Sequence, residues 1–309
     1  MKPSHTNTLR IGTRKSELAQ WQANKVAKAL ENRGHSTELV RITSEGDQDQ
    51  KTPLSEMGGK GVFTKALDDA LLSGEIDMAV HSFKDLPTVQ PLPLHVAAVL
   101  EREDPRDALV APDGLDFLND ESTSNVTVAT GSTRRKAQWL AKYAHHTITN
   151  LRGNVNTRLQ KVHDNDWKGA IFAAAGLKRI NLDAHISSYL DWMVPAPAQG
   201  AMAVMIRDDD QRMAKIVTPL NHLETEVCTS IERDLLHDLE AGCSAPVGAY
   251  AYKSGSVLKF RAVALEPDGS EKYEYESEES WSTCSNLGHR AADMLLEQGA
   301  AGIINSLND

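Results

Sequence analysis

Two blocks of the chain alternate short apolar runs with amphipathic stretches, and that alternation restricts the fold more than any other feature. In the first block, residues 9–13 read as a strand. Residues 14–33 follow as a helix with Leu18, Trp21, Val26, Ala29 and Leu30 on or near one face, and Gly34 stops it. Residues 37–43 read as a strand, 62–73 as an amphipathic helix closed by Gly74, and 76–80 and 94–100 as buried strands. The second block predicts strands at 126–129, 147–149 and 170–173, alternating with helices at 134–143, 154–163 and 176–180. Such alternation predicts two α/β domains. A charged stretch with a proline, Glu101-Arg-Glu-Asp-Pro-Arg-Asp107, and the run Val194-Pro-Ala-Pro-Ala-Gln-Gly200 read as crossovers between them. Residues 201–206 form a strand with no partner nearby in sequence, which is expected to return to the first domain. Farther on, Leu223, Val227, Ile231, Leu235 and Leu239 recur every four residues and predict a helix over 223–239. Strands near 247–252, 257–265 and 271–276 and a helix over 285–298 complete a smaller α+β unit. The predicted domains are 1–100 with 200–220, then 105–195, then 223–309.

Composition narrows the function. At 309 residues, 40% hydrophobic and 25% charged, the chain reads as a soluble globular protein. No run approaches the roughly 18 apolar residues of a membrane span. Residues 1–8 are polar and lack the apolar core of a signal peptide, so the expected compartment is the cytoplasm. Cys228, Cys243 and Cys284 lie far apart with no CxxC, and the histidines show no HExxH, so neither a metal site nor a disulfide framework is predicted. The net charge of −10 is unevenly placed: residues 224–309 hold 16 acids and 6 bases, and the rest of the chain balances. Residues 122–163 hold seven cations, Arg134, Arg135, Lys136, Lys142, Arg152, Arg158 and Lys161, and no acid, which points to an anionic ligand.

Those cations sit at strand-to-helix junctions. Thr130-Gly-Ser-Thr-Arg-Arg135 follows a strand and opens a helix, where backbone N–H groups, hydroxyls and guanidiniums bind anions. Leu151-Arg-Gly-Asn-Val-Asn-Thr-Arg158 repeats the arrangement, and Thr13-Arg-Lys-Ser16 is a third instance. Three such junctions suit a ligand with several carboxylates or phosphates. Nucleic acid is disfavoured by the negative net charge and 5% aromatic content, and there is no GxxxxGK[ST] or GxGxxG to hold a nucleotide. His81-Ser-Phe-Lys-Asp85 closes a buried strand at the end where open α/β sheets bind ligands, and Pro87 stops the strand from continuing. Asp85 there suits either a turn cap or a carboxylate that stabilises a cation. Residues 44–61 form a long polar loop ending in Gly58-Gly-Lys-Gly61, of the length typical of a lid. Cys243, between Gly242 and Pro246, suits an exposed loop thiol able to hold a covalent group, whereas Cys228 falls inside the helical repeat.

Arg10-Ile-Gly-Thr-Arg14, Gly58-Gly-Lys-Gly61, His81-Ser-Phe-Lys-Asp-Leu-Pro87, Glu101-Arg-Glu-Asp-Pro-Arg-Asp107, Ser132-Thr-Arg-Arg135, Leu151-Arg-Gly-Asn154, Gly176-Leu-Lys-Arg179 and Gly242-Cys243 run in one order over nearly the whole chain. Together they resemble the porphobilinogen deaminase (hydroxymethylbilane synthase) family, transferases of porphyrin and heme biosynthesis. The resemblance implies two periplasmic-binding-protein-like doubly wound domains and a third, smaller C-terminal α+β domain. It implies a dipyrromethane cofactor in thioether linkage to Cys243, made by the enzyme from its own substrate. It also implies the reaction: porphobilinogen loses ammonia to an electrophilic azafulvene, the growing chain attacks, and after four additions hydrolysis releases hydroxymethylbilane. Asp85 would be catalytic. Cys243, Lys84, Asp85, Ser132, Arg134 and Arg135 would hold the cofactor, and Arg14, Ser16, Gln22, Lys60, Ser82, Arg152, Arg158 and Gln199 would hold substrate. A small-molecule partner, a monomer, and no metal, nucleic acid or membrane are expected. Pro197-Ala198 stands where the family more usually has Val-Gly, and Glu56 where many members have lysine. The competing reading is a non-catalytic polycarboxylate-binding protein of the same clam-shell fold, which needs neither Cys243 nor Asp85.

Overall fold

The structure is a computed structural model that describes residues 8–43, 64–91, 93–119, 126–240 and 245–306. These fall into two compact units. One takes the chain up to Arg102 and again over Ala201–Glu226; the other takes Glu103–Gly200 and the chain from Val227 onward.

The first unit opens with β1 (Leu9–Arg14), α1 (Glu17–Glu31), β2 (Thr37–Ile42), α2 (Lys65–Leu72), β3 (Met78–Ser82) and β4 (Leu94–Val99). Ser16 caps α1, its hydroxyl accepting from the Ala19 N–H at 3.3 Å. β1 lies parallel to β2 and β3, and the later strand Met202–Arg207 inserts antiparallel between β3 and β4. Side chains alternate across the sheet. Leu9, Ile11, Met78 and Val80 face Ala23, Val26 and Leu30 of α1 together with Met213 and Val217. Gly12 faces the other way: a Cβ there would sit 2.2 Å from Ile76 Cδ1 and 3.0 Å from Leu67 Cδ2, the latter on α2. Helices therefore cover both faces of the sheet. β3 runs through His81 and Ser82, two residues past the predicted end, because both still pair with the antiparallel strand (His81 with Ala203, Ser82 with Met202).

The second unit contains β5 (Asp107–Val110), β6 (Thr127–Ala129), α3 (Thr133–Lys142), β7 (Thr147–Thr149), α4 (Val155–Asp164), β8 (Gly169–Ala173), α5 (Ala174–Arg179) and β9 (Ser188–Tyr189), in sheet order β7-β6-β8-β5-β9. Trp139 packs with Val126, Val128 and Ile171 on one side; Leu159, Val162 and Leu177 pack with Ala129 and Phe172 on the other. β10 is the strand Met202–Arg207 already described, and α6 (Gln211–Val217) follows it. β5, β9 and α6 are elements that the sequence pattern does not predict. The two crossovers run side by side in this unit. The Glu103 N–H donates to Gly200 O at 3.1 Å, and at Gly200 (φ +89°) a Cβ would meet Glu103 O at 2.4 Å, so only glycine permits the approach.

After α7 (Leu223–Asp238) comes an antiparallel three-stranded sheet, β11 (Val247–Ser254), β12 (Val257–Leu265) and β13 (Lys272–Ser280), and then α8 (Leu287–Leu295) and α9 (Ala301–Ser306). Ala249, Ala251, Leu258, Phe260 and Ala262 bury one face against Ile231, Leu235, Leu287, Ala291 and Leu295. At one end of the sheet Val263 and Leu265 pack on Ala137 and Val194. Among the described residues no helix is long and apolar enough to cross a membrane.

Candidate active site

In the first unit, the predicted residues cluster where β1 and β3 end. Arg14 is the last residue of β1, and the Thr13 hydroxyl donates to Ala19 O at 2.9 Å, tying the strand end to the first turn of α1. Gln22, buried on α1, donates from Nε2 to Ser82 Oγ at 2.8 Å, so these two predicted residues meet. The chain then forms a single 3-10 turn, Phe83–Asp85. Buried Phe83 anchors it, its N–H donating to Ala201 O at 3.0 Å. The turn leaves Asp85 exposed, with no hydrogen bond or ion pair among the described residues. Lys84 beside it is half-buried. His81, one turn earlier, is buried at 5% exposure. Burial, with the charge of Arg14 adding to it, holds its imidazole down at about 4, so it is neutral at physiological pH.

In the second unit, two of the predicted junctions touch. A Cβ on Gly131 would lie 2.5 Å from Leu151 O, so the loop before α3 rests directly on the loop before α4. Ser132 caps α3, accepting from the Arg135 N–H at 3.4 Å, and Asn154 caps α4, accepting from the Thr157 N–H at 2.9 Å. Arg158 Nε donates to Gly153 O at 2.7 Å and Lys161 Nζ to Arg152 O at 3.0 Å, so two cations hold the carbonyls of the loop that carries buried Arg152.

Arg134 and Arg135 are placed differently from the sequence expectation of an open anion clamp. Both are buried, and both bind Asp107, the first residue of β5. Arg134 Nη1 lies 2.7 Å from Oδ2; Arg135 Nε and Nη2 lie 2.9 and 2.8 Å from Oδ1. Gln199, also predicted, closes the group by donating to Asp107 Oδ1 at 2.9 Å and to Pro105 O at 2.8 Å. Burial pushes the Asp107 pKa up, but the two guanidiniums pull it further down, leaving it well below the usual carboxylate range. By sequence alone Asp107 is only the end of a charged crossover. Its signal was an acid opening the apolar run Ala108-Leu-Val110, which places a carboxylate in a core where it needs a cation.

This node carries a net positive charge, two guanidiniums against one carboxylate, in a region almost closed to water. The Arg134 Nε is buried with no hydrogen-bond partner among the described residues. A carboxylate-bearing group therefore fits here, both in charge and in the donor left over. Cys243 and Lys60, and with them the expected lid at 58–61 and the departure at Glu56, lie outside the described residues.

Each unit contains an open α/β sheet with arginines and hydroxyls at its strand ends, the first also with a carboxylate that has no partner among the described residues. A family model for "Porphobilinogen deaminase, dipyromethane cofactor binding domain" matches residues 9–215, and one for "Porphobilinogen deaminase, C-terminal domain" matches 226–297. The porphobilinogen deaminase of Syntrophotalea carbinolica is 40% identical over 307 residues, covering 98% of this chain and 97% of its own length. That of Syntrophomonas wolfei is 41% identical over 300 residues, covering 96% and 97%. Among solved structures, the methionine binding protein MetQ is 15% identical over 70% of this chain and 90% of its own, with a TM-score of 0.45. A putative methionine-binding lipoprotein of Bacillus subtilis is 10% identical over 72% and 95%, with a TM-score of 0.43. The chain belongs to the porphobilinogen deaminase family.

Proposed function

We propose that the chain is a transferase that condenses four porphobilinogen molecules head to tail, releasing one ammonia at each addition, and then frees hydroxymethylbilane by hydrolysis. The observation that carries this reading is Asp85, an exposed carboxylate without a partner among the described residues, on a turn fixed by Phe83. A protein that only binds polycarboxylates gains nothing from a bare carboxylate among its cations, whereas a reaction through cationic pyrroles does.

Asp85 stabilises positive charge on the pyrrole nitrogens and accepts and returns protons as ammonia leaves. Arg14, Arg134, Arg135, Arg152 and Arg158 bind acetate and propionate arms, with Ser16, Ser82, Ser132, Lys84 and Lys60 assisting. Gln22 orients the Ser82 hydroxyl, and Gln199 holds the Asp107–Arg135 pair in place. The dipyrromethane, when bound through a thioether to Cys243, supplies the α-carbon at which the chain grows. Lys84, Asp85, Ser132, Arg134 and Arg135 would hold it, and the excess charge of the buried node supports that assignment. The reading extends to three domains, 1–100 with 200–220, 105–195 and 223–309, which the separate sheets support, and to a monomer in the cytoplasm.

Intact mass of the purified protein tests the proposal. The expected excess over the sequence mass is that of two linked pyrrole units, absent in Cys243→Ser. An unmodified mass in protein made by cells with a working porphobilinogen supply overturns it. Asp85→Asn is expected to keep the modified mass and lose nearly all turnover; near-normal turnover removes Asp85 from the mechanism.

A further inference from the structure

Within the second unit, the crossover at 194–200 lies against the edge strand β11. The Ala249 N–H donates to Pro195 O at 3.0 Å, and a Cβ on Gly248 would sit 2.8 Å from Val194 O. Two residues farther along, the Ala251 N–H lies on the same edge of β11. There the backbone pairing stops. Ala198 adopts φ +60°, and its N–H donates to the side chain of Glu232 on α7.

Glu232 has no exposed surface, and its two oxygens divide the work. Oε2 accepts from the Ala198 N–H at 2.6 Å and Oε1 from the Ala251 N–H at 2.8 Å. Both buried amides are thereby satisfied. An ionised carboxylate accepts at both oxygens, whereas a glutamine has one acceptor and would turn its NH2 toward one of the two amides. A carboxylate removed from water is costly, and what the two amides belong to gives the reason for it. Ala198 directly precedes Gln199, which donates to Asp107 Oδ1 at 2.9 Å and to Pro105 O at 2.8 Å. Asp107 in turn binds Arg134 and Arg135. Ala251 is on β11 and Glu232 on α7, the two elements between which Cys243 falls in the sequence.

We infer that Glu232 is a positioning residue for the cofactor: it ties the two elements that bracket Cys243 to the residue beside Gln199, and so sets the cysteine-bearing segment against the Asp107–Arg134–Arg135 group. The inference rests on the reading that a dipyrromethane is anchored at Cys243 and held by those arginines. Glu232 acts through Gln199 and the two bracketing elements, not on the reacting atoms.

Loading of the full-length protein tests this apart from turnover. The chain is made in cells that cannot supply porphobilinogen, and its gain of mass on adding porphobilinogen is timed, below every unfolding transition. Glu232→Gln is expected to load at least about tenfold more slowly than wild type, because a small misplacement is enough to cost that much. Leu287→Ala, a core change packed under the same sheet that touches neither amide, controls for lost stability and should load within about twofold of wild type. Gln199→Ala should also slow loading, and the double variant with Glu232→Gln should fall within about twofold of the slower single variant, since both act on one group. A wild-type chain that gains no mass overturns the cofactor reading and this inference with it. If wild type loads and Glu232→Gln loads as fast as Leu287→Ala, or the two losses multiply in the double variant, the positioning role alone is overturned. Should Glu232→Gln fail to fold, Gln199→Ala carries the test, and loading there at the wild-type rate overturns the role equally.

Discussion

Replacing Asp107 by asparagine removes one charge and almost no volume from a fully buried ionic group. The carboxylate is fully buried, lies 2.7 Å from Arg134 and 2.8 Å from Arg135, and accepts from Gln199 at 2.9 Å. In Asp107→Asn the two guanidiniums face each other across a neutral amide whose NH2 opposes one set of donors. Breaking a buried pair by removing one partner costs about 3–5 kcal/mol, and the retained amide oxygen places this variant toward the lower end, about 3 kcal/mol. That is more than a hundredfold in the unfolding equilibrium, at about 1.4 kcal/mol per factor of ten. The pH dependence follows from the depressed pKa. Asp107 contributes its stability above the unfolded carboxylate value, near 4, and loses it only as pH falls through the lower folded value. The difference between wild type and variant should therefore be constant from pH 6 to 8 and shrink only in strong acid. Urea unfolding followed by tryptophan fluorescence reads it, since buried Trp139 lies one turn beyond Arg135 on α3. A loss below about 1 kcal/mol at pH 7, the range of a solvated pair, would refute the claim that Asp107 is what makes two adjacent buried arginines tolerable.

Two more perturbations test the titrating groups. Burial raises the Asp68 carboxyl to about 6 despite a hydrogen bond from Thr64, so ionising it costs stability as pH rises from its unfolded value to about 6. Asp68→Asn should stabilise the protein by about 1–3 kcal/mol at pH 7 and change little at pH 4; an equal effect at both pH values, read as Tm, would show that the gain is not electrostatic. His289 lies 2.5 Å from Asp238 at the end of α7, and that contact raises its pKa. Its contribution is full below the unfolded histidine value, near 6.5, and fades as pH rises through the higher folded one. Because His289 is about half exposed, the contribution is under about 1 kcal/mol. Amide exchange at the end of α7, faster at pH 8.5 than at pH 6 in the wild type and equally fast at both in His289→Ala once corrected for intrinsic rates, checks it.

Periodicity made the long elements legible: α1, α3, α4 and α7 each differ by only a few residues from their predicted spans, because their apolar faces are continuous. It failed at β5 and β9, four residues and two, where no period can be established, and at α6, whose seven residues are too few to establish one. Departures from the family pattern were visible as residue changes, but their structural meaning was not. Ala198 adopts φ +60°, a backbone that favours the glycine more usual there, and it is held by the buried Glu232 carboxylate, which accepts its N–H at 2.6 Å.

What a sequence withholds is plainest in its charges. Seven cations and no acid between residues 122 and 163 suggested open anion sites, but how a cation is used depends on partners the segment does not contain. Arg134 and Arg135 share a carboxylate that precedes the segment by 15 residues in the chain, while Arg158 and Lys161 bind carbonyl oxygens of their own loop. These uses differ in consequence. A carbonyl orients a cation and leaves its charge in place, whereas a carboxylate removes one unit. Of these contacts only Asp107 subtracts, and two guanidiniums divide its single charge. At the arginine pair, one unit of positive charge remains after Asp107 is counted. The carboxylate that seemed to occupy the arginine pair is what allows two guanidiniums to be buried at one strand end with positive charge to spare.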